Sequence, residues 1–253
     1  MNEVKPPMNA AFDAYNLPTT SLVAFYERLN RPITYPDGMT TSLGIIYWGR
    51  TGRLETLTQA VPRLVEAGAS RFSEVLEAIR TPARARKFAA QTGLPEPALR
   101  ILKHDIELWL PIPVPLEALS WSPESAAALH ALTCAGFADQ LAVISAGQTP
   151  AQRRDLAQQA HLDPTATAEC VKRCDAFRTG KNLDHIRAHL YYAMGFDTWQ
   201  KWAAADAAAI IARFDAYLQE HPQAGERLIP FPKEVRNGIE WARLHLERFT
   251  VEW

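Results

Sequence analysis

Residues 64–98 read LVEAGASRFSEVLEAIRTPARARKFAAQTGLPEPA, and residues 132–166 repeat that pattern as LTCAGFADQLAVISAGQTPAQRRDLAQQAHLDPTA. The correspondence runs without a gap from Val61–Trp109 to Leu129–Phe177, an offset of sixty-eight positions. Thirteen of the thirty-eight positions from Val61 to Ala98 are identical to their counterparts. Internal repeats of this kind indicate a chain built from copies of one supersecondary unit. The repeat therefore decides the predicted fold before any residue propensity is considered.

The punctuation of the repeat predicts a series of short helices in each copy. Gly68 and Gly136 follow predicted helix ends, where glycine accepts the left-handed conformation that closes a helix. Thr-Pro at 81–82 and at 149–150 predicts helix starts, because threonine caps a helix and proline suits its first turn. The last predicted helix of each copy carries one buried face, made of Leu99, Leu102, Ile106 and Trp109 or of Thr167, Cys170, Cys174 and Phe177. Both copies are therefore expected to pack in the same way.

A partial third copy follows, because Tyr191–Trp199 parallels Leu132–Gln140. The alanine-rich run Ala203–Leu218 predicts one helix, and a last helix is expected from Glu234 to Phe249. We predict an all-α fold that forms one globular unit. Its predicted parts are a non-repeat N-terminal segment at 1–59, with a helix at Thr20–Leu29 and an irregular or hairpin stretch around 36–38, pseudo-repeats at 60–110, 128–178 and 187–218, and a C-terminal cap helix within 219–253.

The repeat also resembles a known group of proteins. A helix ending in Ala-Gly-Phe at 135–137 is followed by Thr-Pro-x-x-x-Arg-x-Leu-Ala at 149–157 and by Leu-x-Pro at 162–164. This arrangement looks like bacterial domains of unknown function built from tandem degenerate helix–hairpin–helix units, over roughly residues 60 to 205. The resemblance implies an array of paired helices related to DNA-associated modules, without an established activity.

The phosphate-binding turn of such motifs is not present where the resemblance would place it. A functional hairpin offers a Gly-hydrophobic-Gly turn whose backbone N–H groups bind a phosphate. The corresponding positions are 182–184 and 123–125, with 120–122 as a shifted alternative to the latter. All three lack glycine, and the first two contain Asp184 and Glu124. A carboxylate there would repel a phosphate, so the closest remnant is Gly180-Lys181 beside Arg178.

Basic side chains nevertheless give a hypothesis of nucleic-acid association through charge alone. The candidate residues are Arg80, Arg84, Arg86, Lys87, Arg153, Arg154, Arg178 and Lys181. A helix-turn-helix at 89–102 is a related interpretation, and it would expose Glu96, Arg100 and Lys103. The competing explanations are a solvated helix face and ordinary helix packing, since acidic and basic residues nearly balance at a net charge of -1.

Catalytic and metal sites are not predicted. Cys170 and Cys174, like His185 and His189, lie one helical turn apart, but the cysteines take the places of Leu102 and Ile106 and are expected to be core residues. The titratable run at 104–107 places neighbours in different directions on a helix. No nucleophile elbow, phosphate loop or zinc-protease helix occurs in the sequence. We therefore expect that the chain is not an enzyme and that it binds no cofactor and no metal.

Composition limits the remaining classes. The chain has 253 residues, 47% of them hydrophobic and 22% charged, and three cysteines. An odd, small number of cysteines favours a reducing compartment, and no secretion signal or membrane-spanning apolar run is present, so a cytoplasmic location without membrane contact is expected. The leading prediction is a non-catalytic binding or scaffold protein with an unknown protein partner. The alternatives are nucleic-acid association and a small-molecule or enzymatic function at an unrecognised site.

Overall fold

A computed structural model describes residues 10–30, 32–34, 40–42, 53–111, 113–178, 190–222 and 232–253. Its described part is predominantly helical, which confirms the prediction of a helical fold. Within these ranges, no helix has both the length and the apolar character that a membrane crossing requires. The chain divides into two compact units, Asn16–Leu110 and the combination of Met1–Tyr15 with Pro111–Trp253, called here the first and the second unit.

The first unit contains five helices and one short hairpin among its described residues. In chain order these are α2 (Ser21–Asn30), β1 (Pro32–Thr34), β2 (Thr40–Ser42), α3 (Arg53–Glu66), α4 (Phe72–Ala78), α5 (Pro82–Thr92) and α6 (Glu96–Trp109). The strands are antiparallel, and Ile33 pairs with Thr41. Residues 36–38, where a hairpin was predicted, lie outside the described residues. Leu64, Phe72, Val75, Leu99 and Ile106 are at most 1% exposed and belong to the core of this unit.

The second unit begins with α1 (Ala10–Tyr15) and resumes after Pro111. Its further described elements are a 3-10 helix (Leu116–Leu119), α7 (Pro123–Cys134), α8 (Gln140–Ala146), α9 (Pro150–Ala160), α10 (Pro164–Ala176), α11 (Trp199–Ala204), α12 (Ala207–Glu220) and α13 (Pro232–Leu246). Residues 190–193 are also helical. Leu132, Leu141, Val143, Ile144 and Val171 are fully buried among these helices.

Three helix ends among the described residues are closed by the same hydrogen bonds. Gly68, Gly136 and Gly195 have φ values of 84°, 99° and 93°. The glycine N–H donates to the carbonyl three residues earlier, and the next N–H donates to the carbonyl five residues earlier, in each case over 2.9–3.1 Å. Because side chains rarely adopt this φ, glycine is required at each of these turns.

The helices that follow these turns pack in corresponding pairs. α4 and α5 each contact α6, α8 and α9 each contact α10, and α11 and α12 each contact α13. Thr81 and Thr149 cap α5 and α9 by accepting the backbone N–H of Arg84 and Gln152, as the Thr-Pro sequences predict.

A further correspondence precedes the predicted copies. The Phe72 N–H donates to the Leu17 carbonyl over 3.0 Å, and the Gln140 N–H donates to the Val114 carbonyl over 3.3 Å. Pro18 and Pro115, the next residues, form isolated bridges with Arg71 and Asp139. Leu-Pro and Val-Pro segments thus hold matching positions beside α4 and α8, although ninety-seven residues rather than sixty-eight separate them in the sequence.

The predicted helix at Ala203–Leu218 is wrong in one respect, because two helices occupy this stretch. α11 ends at Ala204, and Asp206 caps α12 by accepting the N–H groups of Ala208 and Ala209 over 2.8 and 3.3 Å. An aspartate that caps a new helix competes with continuation of the previous one. The alanine-rich composition favoured helix but could not show the break.

Candidate binding groove beside α5

The end of α3 forms one wall of a groove in the first unit. The turn at Gly68 leads the chain from α3 into α4. At this turn, the Ala67 carbonyl accepts a hydrogen bond from Nε2 of Gln91 on α5 over 3.3 Å. This bond fixes α5 against the end of α3, and α4 lies alongside, so the groove is built by local chain geometry.

The groove, called here the α5 groove, has a volume of about 270 Å³. Its apolar lining includes Ala78 and Phe88, and Phe88 is 5% exposed. Four charged side chains also line it, namely Glu74 and Glu77 from α4 and Arg84 and Lys87 from α5. Two acidic and two basic groups therefore face one small concave surface.

The four charged side chains differ in their hydrogen-bond and ion-pair partners. Glu74 accepts the backbone N–H groups of Ser70 and Arg71 over 2.8 and 2.9 Å and the Ser70 hydroxyl over 2.8 Å. These bonds, led by that of the Ser70 hydroxyl, lower the pKa of Glu74 below its ordinary value. Glu77 accepts a hydrogen bond from Arg84 and lies 3.7 Å from Arg80 Nη1. Lys87 is exposed and forms no ion pair with an acidic residue of the described chain.

The 132–166 stretch has the same framework without these charges. Gln159 Nε2 donates to the Ala135 carbonyl over 3.1 Å, as Gln91 does to Ala67. The positions that correspond to the four charged residues hold Ala142, Ser145, Gln152 and Asp155. Glu74 accepts the Arg71 N–H at the start of α4, where Asp139 caps α8 instead. The other three charged residues have no such role, which makes Glu77, Arg84 and Lys87 the stronger candidates for binding. Sequence reasoning missed Glu74 and Glu77, although a comparison of the two copies by charge would have found them.

The counterpart of Glu77 contacts another helix of the chain. Ser145 Oγ accepts the Ala11 N–H of α1 over 3.0 Å, and α1 packs against α8. In the first unit, the side chain of Glu77 is 55% exposed. The same position on this framework is thus a docking point in one unit and accessible in the other.

Four of the predicted nucleic-acid contacts cluster near the groove. Arg80, Arg84, Arg86 and Lys87 are all exposed, and so is Arg154 on α9. Arg80 and Arg84 are the two partners of Glu77. Lys181 lies outside the described residues. Of the predicted contacts that the structure describes, the exposed ones are therefore concentrated between residues 80 and 87, where the Glu77 carboxylate is close to two of them.

Arg153 lies on the first turn of α9, and its side chain points into the second unit. Its side chain donates to the Gly147 carbonyl over 2.8 Å and to the Glu252 carbonyl over 2.7 Å, and the residue is 9% exposed. Its guanidinium carbon lies 4.7 Å from the centroid of the Trp253 ring. These contacts leave little of Arg153 for a phosphate.

Arg178 is fully buried in the second unit and belongs to a polar cluster. It donates to Asp175 through Nε over 2.8 Å and also through Nη2. Its Nη1 donates to the Tyr15 hydroxyl over 3.0 Å and to the Phe249 carbonyl over 2.7 Å. The buried guanidinium thus joins three distant segments of the chain and offers no surface to a nucleic acid.

Burial sets the direction of the pKa shift for three groups in and beside this cluster, Asp175, Tyr15 and His245. It raises the pKa of the Asp175 carboxyl, against the opposing effect of Arg178, and it raises the pKa of Tyr15. His245 is stacked on Trp199 with ring centroids 4.6 Å apart, and its Nδ1 lies 2.7 Å from the Trp241 carbonyl oxygen. Burial lowers the pKa of His245 to about 3, so this imidazole is neutral in the folded chain.

The cysteines occupy two different environments. Cys170 and Cys174 are 1% exposed on α10, where burial raises the pKa of Cys170 to about 11 and that of Cys174 well above its ordinary value. Cys134 is exposed. Among the described residues, no group of three or more His, Cys, Asp or Glu side chains could hold a metal ion. His185 and His189 lie outside the described residues.

The remaining two motifs lie on α5 and α6 of the first unit. In the stretch considered as a helix-turn-helix, Leu99 and Leu102 are buried while Glu96 and Arg100 are exposed. In the titratable run, Asp105 is fully buried while His104 is exposed. The two side chains of that run therefore lie in different environments.

Comparison with known proteins adds no relative to this picture. No protein-family model, no curated protein and no solved structure matches the chain.

Proposed function

We propose that this chain is a non-catalytic helical scaffold that binds a protein partner in the α5 groove. The observation that supports it most is the set of four charges, Glu74, Glu77, Arg84 and Lys87, on a framework that the 132–166 stretch builds without them. Two acidic and two basic groups complement a surface of mixed charge better than they complement a polyanion. Protein surfaces carry such mixed charge.

The proposal includes the architecture. We propose that residues 60–110 and 128–178 are copies of one helical unit of the degenerate helix–hairpin–helix kind, with a partial third copy at 187–218. The matching glycine turns, the matching threonine caps of the first two copies and the matching helix pairs support it. Stacked helical copies commonly provide rigid binding surfaces. The contact of α1 with Ser145 supports docking at the position of Glu77.

Site-specific photo-crosslinking tests the protein partner. A photoreactive residue at position 87 is expected to crosslink one discrete protein in cells, while the same residue at position 155 serves as the matched control in the other copy. Glu77→Ala combined with Arg84→Ala should remove the crosslink at position 87, because it removes two of the three charges that remain in the groove once Lys87 is replaced. Equal crosslinking at both positions, or crosslinking that survives the double substitution, would contradict the proposal.

The second candidate function is nucleic-acid association. It is favoured by one observation, the four exposed cations between Arg80 and Lys87. Fluorescence anisotropy with short duplex DNA, single-stranded DNA and RNA, at about 50 and about 200 mM salt, separates the two candidates because counterion release makes phosphate binding strongly salt-dependent. Salt-sensitive binding that Arg86→Ala and Lys87→Ala abolish would replace the scaffold proposal. Absence of binding at low salt would leave the scaffold proposal alone.

A further inference from the structure

Residues 249–253, called here the strap, follow α13 and lie against side chains from three segments of the second unit. Four successive strap carbonyls each accept a hydrogen bond from a different side chain. The pairs are Phe249 with Arg178 at 2.7 Å, Thr250 with Gln148 at 3.0 Å, Val251 with Gln200 at 2.7 Å, and Glu252 with Arg153 at 2.7 Å. The surface that these four side chains form is called here the strap site.

Gln148 contacts the strap twice. Its side chain donates to the Thr250 carbonyl, and its backbone carbonyl accepts the Glu252 N–H over 2.9 Å. The strap is therefore held through both donors and acceptors of its backbone. Main-chain hydrogen bonds of this kind provide affinity for an extended peptide whatever its side chains.

Strap side chains alternate between the interior and solvent. Phe249 and Val251 are 6% and 0% exposed, whereas Thr250 and Glu252 are exposed. Alternation with a period of two is the pattern of an extended segment with one buried face. Trp253 is 42% exposed, and two cations contact its ring, with Arg153 4.7 Å and Lys172 5.5 Å from the ring centroid. Pockets for alternate side chains supply the specificity that backbone bonds lack.

We propose that the strap site is a binding site for an extended peptide of a partner protein, and that the strap is its internal occupant. A fitting partner segment has the pattern aromatic-x-aliphatic-x-aromatic, with an aliphatic residue at the place of Val251 and an aromatic residue at the place of Trp253. A segment that displaces the strap accepts hydrogen bonds from the same four side chains. The strap and the partner segment therefore compete for one set of hydrogen bonds.

The connection to α13 favours a partner segment over the strap of a second copy. The N–H groups of Glu247, Arg248 and Phe249 donate to the carbonyls of Arg243 and His245 in the last turn of α13. Only Glu247 and Arg248 connect the end of α13 to the strap, and two residues span at most about 7 Å. The start of the strap therefore cannot move far from α13 while this turn is intact. A second copy would have to unwind this turn to deliver its strap, whereas a separate peptide needs no such change.

Peptide binding to the full chain tests the proposal. The probe is a fluorescein-labelled peptide of residues 248–253, RFTVEW, followed by fluorescence anisotropy. Val251→Asp should release the strap because it places a charge in a fully buried position. Thr250→Asp is the matched control, since it adds the same charge on the exposed side. We expect Val251→Asp to bind the peptide at least about tenfold more tightly than the wild-type chain or Thr250→Asp, because removal of one buried anchor is worth that factor.

A substitution in the strap site identifies where the peptide binds. Arg153→Ala in the Val251→Asp chain should weaken binding by about tenfold, because it removes a charge-assisted hydrogen bond. Val251→Thr, which keeps the shape of the side chain, replaces Val251→Asp if circular dichroism shows that the latter does not fold. Absence of saturable binding to a folded open variant, equal binding to both aspartate variants, or indifference to Arg153→Ala would overturn the proposal. A doubled mass by light scattering without peptide would also overturn it, since the occupant would then be a second copy.

Discussion

His161 occupies a backbone position for which the chain elsewhere uses glycine. It has φ 53° at the C-terminus of α9, and it is the one non-glycine residue with positive φ in the described ranges. Gly93 has φ 66° at the corresponding end of α5. A side chain in this region costs roughly 1–2 kcal/mol, so the second copy tolerates a local strain that the first avoids.

Exchange of the two residues should reveal that strain. His161→Gly is expected to raise the free energy of unfolding by about 1 kcal/mol, and Gly93→His to lower it by a similar amount. Both positions are exposed, so lost packing contributes little. Urea denaturation measures both changes, and a loss of stability in His161→Gly would contradict the strain argument.

The buried thiol of Cys170 gives a second prediction at the level of one residue. Cys170→Ser should lower the free energy of unfolding by about 1–3 kcal/mol, because a hydroxyl is buried where the thiol was 1% exposed. Cys134→Ser is the matched control at an exposed position and should change little. Thermal denaturation of both variants decides the matter, and an equal effect of the two substitutions would rule out the assignment of Cys170 to the core.

At the level of elements, Gly147 at the C-terminal end of α8 lies directly against Val171 of α10. A Cβ atom on Gly147 would lie 2.5 Å from Cγ2 of Val171. Gly147→Ala should therefore destabilise the chain by about 1–3 kcal/mol through overpacking. In a Val171→Ala background the same substitution should cost clearly less, because the opposing methyl groups are gone. Equal costs in the two backgrounds, measured by chemical denaturation, would show that the contact is not responsible.

Much of the helical pattern could be predicted because its signals are local. Threonine caps at Thr81 and Thr149 and glycine ends at Gly68 and Gly136 each act within one turn of the residue that carries them. The segments at Leu17-Pro18 and Val114-Pro115 escaped detection, because insertions place them at a different offset from the repeat. Their role beside α4 and α8 depends on contacts across the fold.

The candidate site was harder to predict for the same reason. Arg153 and Arg178 resemble surface cations in the sequence, but their partners lie 99 and 163 residues away, at Glu252 and Tyr15. Burial of a charge depends on such distant partners, and no local pattern indicates it. The exposed cations at 80–87 were recognised correctly as exposed, whereas the acidic half of the α5 groove was missed because Glu74 and Glu77 have no motif of their own.

On the scale of the molecule, the neutral imidazole of His245 links stability to pH. Its pKa is about 3 in the folded chain and about 6.5 when exposed. Between these values the unfolded chain binds one more proton than the folded chain, so the free energy of unfolding falls as the pH falls. The expected slope from this group is about 1.4 kcal/mol per pH unit below pH 6.5, and its effect is absent above it.

The variant His245→Phe isolates this contribution while it keeps an aromatic ring beside Trp199. Its free energy of unfolding is measured by urea denaturation from pH 7 to pH 4. Below pH 6.5 it should fall less steeply than that of the wild-type chain, by about 1.4 kcal/mol per pH unit, because one proton fewer is taken up on unfolding. The six other histidines are common to both chains and cancel in the comparison. Parallel pH profiles would show that His245 is protonated in the folded state.

The cluster around Arg178 also sets an order for events during synthesis of the protein. Its guanidinium needs the Tyr15 hydroxyl, the Asp175 carboxylate and the Phe249 carbonyl, and the last of these is translated seventy-one residues after Arg178 itself. After Arg178 has emerged from the ribosome, its guanidinium therefore lacks one of its acceptors until Phe249 has also emerged. The first unit, complete at Leu110, is free of this requirement and can fold while the rest is still being made.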